Sequence, residues 1–273
     1  MKQPDDAPEQ GKALLGLIGF PLGHSWSPAW FNEKLRAEGK GMYEYRLFPL
    51  EEITEFPGLL IKHPALAGLN VTIPYKEKII PYLDELDGTA RSIGAVNTIR
   101  LTRSNGKILT KGFNTDAPGF LMTLPRTLLQ GPVLILGTGG GAKAVAFALD
   151  EKNIPYTFVS RSKTGPGIIS YDDLTAAVIG SHPLIVNTTP LGMFPATGKF
   201  PPIPYHFLST RHCLYDLIYN PEETEFLKRG KIMKTGTMSG KQMLINQAGL
   251  SYNIFFGNSP GRADLVARYG VGL

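Results

Sequence analysis

The sequence has one cysteine, Cys213, in 273 residues. No internal disulfide framework can brace such a chain, and no cysteine-based zinc site can be assembled from it. Cys213 stands in the apolar run Cys213-Leu214-Tyr215, where a thiol reads as a small buried hydrophobe. A reducing, cytoplasmic setting fits this usage. Long apolar runs are missing too: no stretch approaches the about 18 apolar residues of a membrane span. Residues 1–12 are polar and lack the positive-then-apolar pattern of a secretory signal. There is also no basic run. The net charge is +5, but Lys and Arg are scattered, whereas a nucleic-acid-binding face gathers them into a stripe. Scattered cations suit a protein that handles anionic small molecules. His24, His63, His182, His206 and His212 have no carboxylate or histidine companions at metal spacing, so no metal site is expected. Met238 and Met243, at near-helical spacing, read as core or pocket lining. No internal repeat or low-complexity segment occurs.

What is present belongs to a globular α/β protein. Hydrophobic residues make up 42% and charged residues 19%, enough apolar material for two modest cores. In the first half, strands are expected at 13–20, 43–48 and 66–73, the last stopped by Pro74. Helices are expected at 28–39 and 76–86. Residues 95–101 and 107–110 read as a hairpin around Ser104-Asn105-Gly106, since Asn-Gly favours tight turns. A helical stretch at 117–129 leads to the break Gly131-Pro132. The continuous apolar strand Val133-Leu134-Ile135-Leu136 follows, of the kind buried on both faces. Further strands are expected at 156–160, 184–187 and 214–218, with helices at 141–150 and 241–256. This βαβαβ rhythm requires a parallel sheet with crossover helices.

The loop Gly137-Thr138-Gly139-Gly140-Gly141 lies between that apolar strand and a helix, the context in which a glycine fingerprint is meaningful. Glycines permit the tight turn and close backbone approach to a pyrophosphate, which then sits at the positive end of the helix. Ala142 and Ala144 can supply the close helix–strand contact otherwise given by a third glycine. A Rossmann-type doubly wound domain carrying a nicotinamide dinucleotide is therefore expected in the second half.

A missing carboxylate then narrows the cofactor. NAD-binding chains end the second strand, roughly twenty residues past the loop, with an acid that bonds the ribose 2′-hydroxyl; NADP-binding chains avoid the acid and offer Arg. Here the strand runs into Ser160-Arg161-Ser162-Lys163, two hydroxyls and two cations suited to a 2′-phosphate. NADP (NADPH) is the expected cofactor.

The first half carries polar clusters at strand ends, where α/β sites form. Taken singly, each reads as structural. Ser25 and Ser27 ahead of Pro28 suit a helix start. Asn70 and Asn97 suit turns. Lys76 suits a solvated first helical turn, although a cation there opposes the macrodipole. Asp116 suits a cap for a helix starting at Ala117.

Together they resemble the shikimate dehydrogenase family. The motifs run in order: Gly19-Phe20-Pro21-Leu22-Gly23-His24-Ser25-Trp26-Ser27-Pro28, NVTIPYK at 70–76, GAVNT at 94–98, GFNTD at 112–116, GTGGG at 137–141. Asn187-Thr188-Thr189-Pro190-Leu191-Gly192-Met193, Asp216-Leu217-Ile218-Tyr219-Asn220-Pro221 and residues 240–247 follow. The resemblance spans residues 15–257. It implies an N-terminal α/β substrate-binding domain (1–116) and a Rossmann-type NADP-binding domain (117–240), with a cleft between them. It further implies a C-terminal helical segment (241–273) that returns to the first domain.

The resemblance also implies a reaction: reversible reduction of 3-dehydroshikimate to shikimate with NADPH, in chorismate and aromatic amino acid biosynthesis. It makes Lys76 and Asp116 the catalytic pair, and hydride transfer to a ketone does need a proton donor at the forming hydroxyl. Ser25, Ser27 and Tyr219 match carboxylate-binding positions; Thr72, Asn97 and Gln247 match positions that bond the ring hydroxyls. Gly137, Thr138, Gly139, Gly140 and Gly141 match the pyrophosphate contacts, and Ser160, Arg161, Ser162 and Lys163 the 2′-phosphate contacts. Thr188, Leu217 and Gly240 match the nicotinamide side. His24 is structural on this reading. Gly141 and Lys143, Ser160-Arg161-Ser162, the segment Thr164-Gly165-Pro166-Gly167 and the run Phe255-Phe256 depart from the family's usual residues; the adenosine end carries most of these departures. The expected partner is the small-molecule substrate, with no nucleic acid or membrane, and the expected state a monomer or homodimer. A quinate/shikimate dehydrogenase using NAD or NADP, and a non-catalytic dinucleotide sensor on the same fold, are the competing readings; retention of Lys76 and Asp116 opposes the sensor.

Overall fold

The structure, a computed structural model, describes residues 12–23, 25–104, 106–162 and 164–257. His24, the turn residue Asn105 and Lys163 lie outside the described residues. Two compact units divide the chain: residues 12–114 with 251–257 form the first, and residues 115–250 the second. Among the described residues, no helix is long and apolar enough to cross a membrane.

The first unit is built on β1 (Ala13–Gly19), β2 (Tyr43–Pro49), β3 (Leu66–Val71), β4 (Glu85–Leu86), β5 (Thr98–Ser104) and β6 (Lys107–Phe113), in the order β2-β1-β3-β5-β6-β4. The first three run parallel, while β5 is antiparallel to both β3 and β6. Helix α1 (Ser27–Ala37) has Pro28 in its first turn, where a fixed φ and a missing N–H cost nothing. It buries Phe31 and Leu35, one turn apart, and the Phe31 ring stacks on Tyr45 of β2 at 4.2 Å. The opposite sheet face is covered by α2 (Phe56–Lys62) and α3 (Gly88–Ile93), whose Phe56, Leu59 and Ala90 pack with Ile18, Phe48, Tyr75 and Ile79. Asp87 caps α3 by accepting the Ala90 N–H at 2.8 Å, and Gly94, at φ +67°, ends it.

The second unit is built on β7 (Val133–Leu136), β8 (Tyr156–Val159), β9 (Ile168–Ile169), β10 (Leu184–Asn187), β11 (Cys213–Asp216) and β12 (Gly236–Met238). All pairings are parallel, in the order β12-β11-β10-β7-β8-β9. The chain winds outward from β7 in one direction, returns, and winds outward the other way from β10. This is the doubly wound order, with its reversal between β7 and β10. Strands β7, β10 and β11 are buried throughout; β7 is wholly apolar, and β10 and β11 are apolar up to a final Asn187 and Asp216. Helix α5 (Gly140–Asp150) lays Ala142, Ala144, Val145, Ala148 and Leu149 into the core. The remaining helices are α4 (Asp116–Leu121), α6 (Ala176–Ser181), α7 (Glu225–Ile232) and α8 (Lys241–Phe255). Cys213 is buried, and burial pushes its thiol up to about 11, so it stays protonated at neutral pH.

Several sequence expectations are corrected. Residues 76–86 form no α-helix: turns lead to a 3₁₀ turn, Ile80–Tyr82, and then to β4. Pro81 removes a donor from the middle of that segment. The helix expected at 117–129 stops at Leu121, and Pro125 sets off the separate 3₁₀ turn Arg126–Leu129. Helices α2, α3, α6 and α7 and strands β4, β9 and β12 are too short to have shown a period. Met238 lies on β12 and Met243 on α8, so the two share no helix.

Gly68 of β3 is required by packing. A Cβ there would stand 2.7 Å from Cε1 of Phe255, inside the ring's contact envelope. Gly68→Ala is expected to lower stability in urea unfolding by about 1–3 kcal/mol through overpacking, and Phe255→Leu in the same chain to recover part of that loss. A Gly68→Ala change under about 0.5 kcal/mol would show that the ring yields freely.

Candidate active site

The second unit places its glycine loop at the sheet's reversal point. Gly137 has φ +108°, and a Cβ on it would stand 2.7 Å from Thr188 Oγ1, so only glycine fits. Its N–H is held by the Val159 carbonyl at 2.9 Å. Thr188 is fixed in turn, its N–H and hydroxyl both donating to the Leu136 carbonyl, at 3.0 and 2.6 Å. Gly139 is extended and Gly140 opens α5, whose first turn contains no acid and receives no side-chain cap. Its N-terminal N–H groups are thus presented to an anion. Gly141 sits 3.6 Å from Leu217 Cδ1 when given a Cβ, an ordinary contact, so this departure reflects no lack of space. At Gly240 a Cβ would collide with the Leu217 carbonyl oxygen, and the Gly240 N–H donates to Ile218 O at 3.0 Å. Thr138 is half-buried at the loop's turn.

The end of β8 carries no carboxylate. Ser160 is buried, its N–H bonds the Ile169 carbonyl at 2.9 Å, and its Oγ accepts from the Ser162 N–H at 3.3 Å. Arg161 and Ser162 are exposed. Burial raises the Tyr171 phenol, and the positive charge of Arg161 offsets part of that rise.

A buried network that sequence reading passed over braces the crevice. Asp216 ends β11 with no exposed surface. Its Oδ1 accepts from Asn187 Nδ2 at 3.0 Å and from the Ile218 N–H at 3.1 Å, and its Oδ2 accepts from Thr224 Oγ1 at 2.6 Å. Asn187 Oδ1 then accepts the N–H and hydroxyl of Thr189, at 3.0 and 2.7 Å. The available signal was a carboxylate closing an otherwise apolar strand.

The first unit gathers Ser25, Ser27, Thr72, Lys76 and Asn97 on the segments that follow β1 and β3 and precede β5. Ser25 and Ser27 are half-buried. The helix-cap reading fails for Ser27, because Trp26 is the N-cap residue and no side chain caps α1; Ser25 Oγ accepts a local bond from the Ser27 N–H, at 3.3 Å. Thr72 donates its N–H to Ile18 O at 2.9 Å. Lys76 lies outside any helix and accepts the Val96 N–H on its carbonyl at 2.7 Å. Asn97, 2% exposed, bonds Phe113 O through its N–H at 3.0 Å and accepts from Val71 N on its carbonyl at 2.8 Å. The 70–76 and 94–98 segments are thus laced together through their backbones.

Asp116 and Gln247 belong to the second unit. Asp116 is buried and is the first residue of α4; Thr115 is the N-cap residue, so the expected capping role of Asp116 is not seen. Thr115 Oγ1 meets Gln247 Oε1 at 3.5 Å, and Gln247 Nε2 donates to Leu244 O at 3.0 Å. Gly119 lets α8 approach: a Cβ there would meet Gln247 Cβ at 3.0 Å. Tyr219 is half-buried in the turn after β11.

A dinucleotide crevice at the reversal point of a doubly wound sheet, on a chain that also displays hydroxyl, amide and ammonium groups at the strand ends of an α/β unit, defines a dinucleotide-dependent oxidoreductase. Residues 17–99 match the family profile of the shikimate dehydrogenase substrate binding domain. Shikimate dehydrogenase (NADP(+)) of Methanosphaera stadtmanae is 38% identical, covering 92% of this chain and 94% of that protein. The protein of the same name from Carboxydothermus hydrogenoformans is 38% identical over 90% and 92%. The crystal structure of shikimate dehydrogenase 1 from Peptoclostridium difficile superposes with a TM-score of 0.79 at 34% identity, covering 94% and 97%. The chain belongs to the shikimate dehydrogenase family.

Burial raises the Asp216 carboxyl to about 6 from an ordinary 3.8, against the lowering pull of Thr224, Ile218 and Asn187. A raised folded-state value means that the fold binds this proton more tightly than the unfolded chain does. The associated stability is complete below about pH 4 and is lost as pH rises through 6, by about 3 kcal/mol for a shift of about two units. Unfolding free energies measured in urea at pH 4.5, 5.5 and 7 are expected to fall more steeply for the native chain than for Asp216→Asn, which keeps the shape without the titration. Parallel pH profiles would contradict this.

Proposed function

We propose that the protein is an NADP-dependent shikimate dehydrogenase, which reduces 3-dehydroshikimate to shikimate reversibly in chorismate and aromatic amino acid biosynthesis. The observation that carries the cofactor is the carboxylate-free end of β8, in a chain whose Gly137 crevice only glycine can form. An acid at Ser160 would repel a 2′-phosphate; Ser160, Arg161, Ser162 and Lys163 offer it donors and positive charge instead. Gly137, Thr138, Gly139, Gly140 and Gly141 would cradle the pyrophosphate, and Thr188, Leu217 and Gly240 would line the nicotinamide. Bound NADPH supplies the hydride.

The chain's own residues do the rest. Lys76 delivers a proton to the substrate's carbonyl oxygen as the C–H bond forms, and takes it back in the reverse direction. Asp116, the other member of the catalytic pair, accepts a hydrogen bond from a ring hydroxyl of the substrate. Ser25, Ser27 and Tyr219 donate to the substrate carboxylate. Thr72, Asn97 and Gln247 bond the ring hydroxyls; carboxamides suit them because they both donate and accept. On the same reading the enzyme works in the cytoplasm on a small molecule, as a monomer or homodimer, without nucleic acid.

Initial rates with shikimate or quinate, each with NADP⁺ or NAD⁺, test this directly. Shikimate with NADP⁺ is expected to lead the four combinations, and a clear preference for quinate with NAD⁺ would overturn the assignment. Lys76→Ala is expected to lower kcat by about 10²–10⁴ while NADPH, followed by its fluorescence, still binds. Unchanged turnover would remove Lys76 from the chemistry.

A further inference from the structure

Behind the candidate substrate groups of the first unit lies a set of buried polar side chains with no assigned role: Tyr45 of β2, Asn70 of β3, Thr98 of β5 and Ser251 of α8. Tyr45 is 2% exposed, Asn70 6%, and Thr98 and Ser251 not at all. Polar groups this deep must be paired, and their proton inventory fixes who donates to whom. Asn70 decides the order. One end of its carboxamide faces the Asn97 backbone carbonyl at 3.2 Å, and a carbonyl only accepts, so the amide nitrogen must point there. The Asn70 oxygen therefore faces Tyr45, whose phenol donates to it at 2.9 Å. The Asn70 nitrogen also reaches Ser251 Oγ at 2.9 Å and Thr98 Oγ1 at 3.2 Å.

The two hydroxyls are 2.7 Å apart, and Thr98 Oγ1 lies 3.1 Å from the side-chain oxygen of Asn97. That amide oxygen cannot donate. Thr98 therefore donates to Asn97 Oδ1, which leaves Ser251 to donate in the contact between the two hydroxyls, while the two amide protons of Asn70 are shared among three acceptors. The run is continuous and one-way, and it ends on a candidate substrate residue. Holding Asn97 by its oxygen turns its N–H₂ end the other way.

We propose that Asn70, Ser251 and Thr98 are positioning residues that lock the Asn97 carboxamide as a hydrogen-bond donor to a substrate ring hydroxyl, so that this hydroxyl is recognised through its oxygen lone pair. The proposal rests on the shikimate dehydrogenase reading. Its substrate-side consequence is specific: a loosened Asn97 can present oxygen as readily as nitrogen, which weakens recognition of the ring without altering the dinucleotide crevice.

The test uses the full chain with shikimate and NADP⁺, and the variants Thr98→Val, Thr98→Ser and Ser251→Ala. Thr98→Val keeps the shape and removes the donor to Asn97. It is expected to raise the KM for shikimate about tenfold, the equivalent of one lost hydrogen bond of about 1.4 kcal/mol, with the KM for NADP⁺ unchanged within about twofold. Thr98→Ser restores the hydroxyl and is expected to restore most of the KM. Ser251→Ala, which removes one link further back, is expected to give a smaller rise of about threefold. Melting temperatures identify a variant that fails to fold, and Ser251→Ala stands as the second probe should Thr98→Val do so. Folded variants with an unaltered KM for shikimate, or with both substrates' KM values raised alike, overturn the proposal. Wild-type chain without turnover removes the proposal together with the reading it rests on, whereas wild-type turnover with unaltered variants removes the proposal alone.

Discussion

A carboxylate sealed from water must draw all its hydrogen bonds from the protein, and the crevice of the second unit is organised around one such group. Asp216 receives Asn187 from the end of β10, the Ile218 N–H from its own turn, and Thr224 from the start of α7. The end of a neighbouring strand, the turn after β11 and the start of α7 are thereby fixed to one residue. Asn187 passes the constraint to Thr189, next to Thr188, whose hydroxyl occupies the space a side chain at Gly137 would need. The glycine loop thus takes its shape from below as well as from its own permissive residues. The cost of burying a charge is set against a rigid crevice wall.

The first unit obeys the same rule without a charge. Its core strands would be more simply filled by apolar residues, yet Tyr45, Asn70 and Thr98 occupy buried positions and satisfy one another. Half-satisfied networks of this kind destabilise; fully satisfied ones impose a single arrangement. Both units therefore place a paired polar cluster at the strand ends where their candidate ligand groups stand.

Much of the fold was legible because the long elements carry strong patterns. The run Val133-Leu134-Ile135-Leu136, the glycines after it, the Pro28 helix start and the Asn-Gly hairpin each state their geometry locally. The missing acid at Ser160 was equally plain, since it depends on residue type at a fixed place. Residues 76–86 misled because apolar residues recur there at helical spacing, while Pro81 forbids the helix they suggest. The short helices α2, α3, α6 and α7 span too few turns for a period to emerge. The candidate site residues were reached through the order of motifs, and what lay hidden was their support. Tyr45, Thr98, Ser251 and Asp216 are ordinary residues in their own segments, and acquire meaning only when the sheet and α8 bring them within hydrogen-bond distance.

Helix α8 has a consequence for how the protein is made. Its first residues belong to the second unit and its last, from Ser251 onward, to the first. Among the described residues, the second unit is the single stretch 115–250, whereas the first is assembled from two pieces that lie on either side of it in the chain. A ribosome releasing the chain from its N-terminus therefore delivers every described residue of the second unit before the first can be completed. Until residues 251–257 emerge, Asn70 and Thr98 lack Ser251, and Gly68 faces no Phe255 ring. Among the described residues, it is the core of the first unit that waits for the last turn of α8.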